Sequence, residues 1–123
     1  MKNQTDIILS ISLVMLFAFA GFNPIGKIYS SEPVRYGDEL ELYVNFDNSL
    51  KTQLEDVKVK AFDYDSDEIF SANTFDIQKR SKSLSRLFWK VPQEASCGEH
   101  VVRVTASNNK FRDVRHIFFD VEC

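Results

Sequence analysis

Three aspartates two apart, Asp63, Asp65 and Asp67, with Glu68 beside them, form the densest group of metal-capable side chains in this 123-residue chain. Their spacing is the D-x-D-x-D opening of a calcium loop. Such a loop also needs glycine at its sixth position for a sharp turn and a bidentate glutamate at its twelfth. Glu68 and Thr74 stand there instead. The segment is therefore expected to be a solvated acidic hairpin tip, with a weak, water-rich calcium site as the alternative. His100 and His116 are the only histidines. Neither has a serine or cysteine and an acid that the sequence would place beside it for nucleophilic catalysis. Two imidazoles on neighbouring strands fall short of a metal site. Both are expected at half-buried sheet positions, and no metal, cofactor or catalytic residue is assigned.

A basic stretch, Lys79, Arg80, Lys82 and Arg86, is interleaved with Ser81, Ser83 and Ser85. It suits an anionic polysaccharide, lipid head groups or an acidic partner, or serves as a solvated strand face. Together with Asp63, Asp65, Asp67 and Glu68 it makes up the candidate partner-binding set. Trp89, flanked by Leu87 and Val91, has the setting of a core residue rather than a ligand-stacking platform.

The apolar run Ile7–Phe22 has the form of a secretory signal. Lys2 precedes it, and Ala18 and Ala20 lie two apart before Gly21. A retained membrane anchor is the competing possibility, although sixteen residues are short against the ~20 a spanning helix needs. Both place the remainder outside the cytoplasm. A net charge of −3 argues against a nucleic-acid binder, which would concentrate basic charge on one face. Cys97 and Cys123 are an even pair in an oxidising compartment and are expected to form a disulfide.

After residue 30 the apolar pattern takes a period of two, the spacing of strands with one buried face. Six runs show it: Leu40–Phe46, Val57–Ala61, Phe75–Ile77, Leu87–Val91, Val102–Ala106 and Ile117–Val121. Turn-forming segments separate them, and a further strand is expected over Ile28–Ser31. The fold class is all-β, an immunoglobulin-like antiparallel sandwich of about seven strands, preceded by an N-terminal hydrophobic helix. The expected division is 1–22 signal or anchor, 23–27 short tether and 28–123 sandwich domain.

Glu32-Pro33 with Gly37-Asp38-Glu39-Leu40-Glu41-Leu42-Tyr43-Val44-Asn45 resembles the opening of CARDB-like domains, the cell-adhesion-related immunoglobulin-like modules of prokaryotic surface proteins. Leu54–Val59 is similar to their next strand. Val91–Ala95 and Gly98–Asn108 are similar to the penultimate strand and its approach. The resemblance spans most of Glu32–Val121 and implies a sandwich on the cell exterior with no catalytic residues. The acidic turn and the terminal Cys123 lie outside that pattern.

Hairpin geometry places the two cysteines. With a turn around Asn108-Asn109, Val102 falls opposite Ile117 or Phe119, and Cys97 opposite residue 122 or just beyond. Strict alternation aims Cys97 outward and Cys123 inward, so an irregularity near Gly98 is required. The expected function is a non-catalytic cell-surface module binding an envelope protein or surface glycan, and the membrane too if the N-terminal segment is uncleaved. The alternative is a secreted accessory or inhibitor of an extracellular enzyme.

Overall fold

The computed structural model describes residues 22–31 and 33–123. Nine strands follow in order: β1 (Ile25–Ser30), β2 (Val34–Arg35), β3 (Glu39–Asp47), β4 (Leu54–Asp63), β5 (Ile69–Ser71), β6 (Phe75–Ile77), β7 (Lys82–Lys90), β8 (Gly98–Ser107) and β9 (Arg112–Glu122). One sheet runs β1-β3-β7. The other runs β2-β9-β8-β4-β5, with β6 also paired to β4. All pairs are antiparallel except the short β2–β9 contact, which is parallel.

All six period-two runs lie on strands, save that Val91 falls one residue beyond β7, and their apolar alternates meet in one core between the sheets. On β3, Leu40, Leu42, Val44 and Phe46 are buried, and on β8 Val102, Val104 and Ala106 are. Trp89 is 5% exposed and belongs to the same core, as its setting between Leu87 and Val91 implies. Its ring stacks on Phe70 at 5.7 Å and meets Phe119 edge-on at 5.7 Å.

Two strands beyond the expected set appear. The turn after Asp63 folds the chain back as β5, and β2 is two residues held against β9. The first strand begins at Ile25 rather than Ile28, so residues 25–27 of the expected tether belong to β1, with Ile25 paired to Phe46. Phe22 already packs edge-on against Phe111 at 5.8 Å, and the Pro24 carbonyl accepts from Asp47 N at 2.8 Å. The fold therefore includes Phe22. The hydrophobic helix expected over 1–22 otherwise lies outside the described residues.

Where β1 meets β9, the two sheets are joined by a polar clasp. Asp113, at an inward position and 3% exposed, accepts from Ile25 N at 3.0 Å. Arg115 donates to the Ile25 carbonyl at 2.7 Å, and its Nε lies 3.5 Å from Asp113. Both backbone groups of Ile25 are thus satisfied by side chains from the opposite sheet, which a bulge in β1 between Ile25 and Ile28 makes possible. Asp113→Ala should cost about 1–3 kcal/mol by stranding a buried N–H. Urea unfolding should show a lower midpoint at unchanged slope.

Candidate binding surface

The acidic turn is not the solvated tip expected from its composition. Asp63 is the last residue of β4 and continues the inward series Val57, Val59, Ala61. Its exposure is 0%, so it does not join the partner-binding set. His100, also inward and 1% exposed, extends the series Ala106, Val104, Val102 backwards along β8. The two side chains meet, His100 Nδ1 to Asp63 Oδ2, at 3.0 Å. Nε2 lies 2.7 Å from the Ser96 carbonyl. A carboxylate and a carbonyl only accept, so both ring nitrogens donate and the imidazole is protonated. Burial pulls its pKa down, but the Ser96 carbonyl and the Asp63 carboxylate outweigh that and leave it raised.

The remaining acidic side chains are partly committed to the same region. Glu68 accepts from the Trp89 indole N–H. Asp65 accepts from Ser96 N at 3.4 Å and lies 3.8 Å from His100 Nε2. The hydrogen bonding at Ser96 holds the Asp65 carboxyl below the usual carboxylate range against a smaller opposing effect of burial. Asp67, exposed and at φ 57°, caps the turn. Among the described residues no group of three or more His, Cys, Asp or Glu is arranged to hold a metal ion.

His116 sits on the other face of the sheet from His100. The register pairs it with Arg103, and it is exposed. The two histidines therefore share no ligand. Lys79 and Arg80 occupy the exposed turn before β7, while Lys82 and Arg86 point outward from that strand. Nine residues of β7 separate this turn from the acidic end, a length of about 30 Å. The opposite charges flagged in the sequence do not form one site.

A cationic cluster that the sequence pattern did not single out lies on the outer face of the larger sheet. Lys58, Ser107 and Arg112 form one cross-strand row, and Phe62, Arg103 and His116 another. The guanidinium of Arg103 lies over the Phe62 ring at 5.4 Å and the Tyr64 ring at 5.7 Å. Those rings meet edge-to-face at 5.1 Å, and His116 stacks on Tyr64 at 6.1 Å. The period of two already placed Lys58, Lys60 and Arg103 on outward positions. Their convergence needed the register.

At the end of the last hairpin, Val102 pairs with Ile117 and Gly98 with Val121, as the hairpin geometry anticipates. Gly98 adopts φ 99°, which L side chains rarely adopt. This is the irregularity needed to bring Cys97 and Cys123 together. They form a disulfide with a Cα separation of 5.9 Å. The Tyr36 hydroxyl donates toward both sulfurs, at 3.1 and 3.0 Å.

These features define an all-β module of two sheets sharing one core, closed at one end by a disulfide and a buried ion pair. In fold it is CARDB-like. The CARDB domain of PF1109 from Pyrococcus furiosus, crystallised with di-metal ions, is similar with a TM-score of 0.60 at 14% identity, covering 82% of this chain and 91% of that one. The alkylpurine DNA glycosylase AlkC of Pseudomonas fluorescens is similar with a TM-score of 0.61 at 14% identity over 81% of this chain but only 30% of the glycosylase. A Niemann-Pick type C2 protein from the Japanese carpenter ant gives 0.55 at 11% identity, covering 80% and 91%. No family model and no curated protein sequence matches the chain.

The raised His100 pKa means that the folded protein holds this proton more tightly than the unfolded chain, whose imidazole has the ordinary value of 6.5. The resulting stabilisation is complete below that value and is lost as pH rises through the higher native pKa. The melting temperature should therefore fall as pH rises above the ordinary imidazole value of 6.5. His100→Gln should flatten that slope, and thermal melts of both proteins between about pH 6 and 9 will read it. Replacing His100 by Ala should cost about 3–5 kcal/mol, because Asp63 is then buried without its partner. Reducing the bridge should lower stability by about 3–4 kcal/mol on the loop-entropy account, measured as the shift in urea midpoint with and without reductant.

Proposed function

We propose that this chain is a non-catalytic, exported immunoglobulin-like module that works at the cell surface by binding an envelope protein or surface glycan. The observation that carries this is the His100–Asp63 pair. It is the one close acid–base couple among the described residues with both side chains fully buried, and no substrate reaches it. Its protons hold the fold together, and the Ser66 hydroxyl beside it donates to Asp63 Oδ2 at 2.9 Å. Both imidazole nitrogens are engaged, by Asp63 and the Ser96 carbonyl, and neither is free to act as a base for that hydroxyl. Among the described residues no buried side-chain nitrogen or oxygen lacks a partner, so no interior polar group is left poised for chemistry. Three further features favour this proposal. A disulfide suits an oxidising compartment, the fold matches CARDB domains, and the apolar run Ile7–Phe22 has the pattern of an export signal or anchor.

The metal ions of the Pyrococcus domain are not carried over. Asp63 is occupied by His100, and the acidic turn offers no converging carboxylate set. Binding through an open sheet face or an end loop is what a small sandwich provides.

The test uses cells producing the full chain. Added protease should degrade the domain without lysis, and the native amino terminus should be either Gly21 or Met1. Protection of the domain until the membrane is broken would refute export. Substrate turnover by the purified protein, abolished by His100→Gln, would refute the non-catalytic assignment.

A further inference from the structure

We propose that the outer face of β4, β8 and β9 is a binding groove for an acidic polysaccharide whose charge is carried by carboxylates. This deepens the surface-module proposal and rests on it for the setting in which such a polymer is met.

An open groove of about 450 Å³ runs over this face, and its cationic lining is Lys58, Lys60, Arg103 and Arg112. No carboxylate lines it. None of these four cations takes part in a salt bridge among the described residues. The protein as a whole carries −3, so composition alone does not explain the concentration of positive charge here. Lys58 and Lys60 are two residues apart on one strand, about 7 Å. Arg112 lies two strands across from Lys58, about 10 Å. The cations thus form a spaced lattice rather than a point, as a polymer with repeated charges requires.

Arg103 is the anchor. It rests over two rings that are themselves packed edge-to-face, so its planar fork is held before any ligand arrives. A held guanidinium pairs with a carboxylate through two parallel hydrogen bonds. Thr105 and Ser107 lie between the cations on β8 and offer hydroxyls to sugar hydroxyls. Exposed Ile69, 65% accessible, supplies an apolar rim for the C–H faces of a sugar ring.

A single-stranded nucleic acid fits less well. It needs successive free aromatic faces on which bases stack. Here Arg103 covers Phe62 and Tyr64, and His116 lies against Tyr64.

Calorimetric titration of the purified, disulfide-bonded protein with polygalacturonate is the direct experiment, with neutral dextran, oligothymidylate and phosphatidylglycerol vesicles as comparison ligands. Polygalacturonate should bind at low salt, weaken as salt is added, and exceed every comparison ligand. Arg103→Ala should weaken it about tenfold or more, the equivalent of one lost charge-assisted pair. Lys58→Glu with Lys60→Glu, both at exposed positions, should abolish it without lowering the melting temperature. Lys79→Glu with Arg80→Glu should leave it within about twofold, since that turn lies elsewhere. No binding to polygalacturonate, binding indifferent to the Lys58/Lys60 reversal, or tighter binding to oligothymidylate or vesicles would each overturn the proposal. Those failures leave surface exposure in intact cells untouched. An inaccessible domain would instead defeat the surface-module proposal without changing the titration.

Discussion

Two sheets that share one core oblige every second residue of their long strands to lie between them. Each inward position must then be apolar or satisfied from within, because an unpaired polar group there costs more than a typical hydrogen bond returns. Most inward positions meet this with Val, Leu, Ile, Phe or Ala. Asp63, His100 and Asp113 meet it with partners. These three are placed where the strands leave the core, and each ties a neighbouring segment to the sandwich.

One end of the molecule shows what that tying does. His100 joins the last residue of β4 to the Ser96 carbonyl in the loop before β8. Glu68 in the β4–β5 turn accepts from Trp89 near the end of β7. The disulfide begins one residue after Ser96 and reaches the C-terminal Cys123, with Tyr36 donating to both sulfurs. Four separate stretches of chain are locked together by one ion pair, one indole hydrogen bond and one covalent bond. A loop held in this way is a poor adaptable contact surface. Three of the acidic side chains that composition assigns to binding, Asp63, Asp65 and Glu68, serve here as internal ties.

The outer faces carry the opposite balance. On the larger sheet, side chains released from the core by alternation stand in rows set by cross-strand register, and rings and cations from different strands meet. On the smaller sheet, Arg86 lies over Tyr43 at 5.6 Å, while Leu84 and Phe88 remain about half exposed. Charged alternates along β7, Lys82, Arg86 and Lys90, also blunt an edge strand against pairing with another chain.

Alternation is a local property, and what depends on it alone was legible in the residues: the strands other than the short β2 and β5, the core role of Trp89 and the outward setting of Lys58 and Lys60. The cysteine pairing was legible too, because a single short hairpin fixes the register around it and Gly98 supplies the needed backbone turn. Asp63 and His100 were within reach, since each extends an inward series by one step. Their acidity and basicity drew attention to solvent and ligands instead, and only their meeting across β4 and β8 shows that each makes the other's burial tolerable. The cluster of Lys58, Lys60, Arg103 and Arg112 was beyond reach for a different reason. The two arginines stand more than forty positions from the two lysines in the chain, and their proximity depends on how β4 pairs with β8 and β8 with β9, a non-local choice made by the burial of all three strands at once.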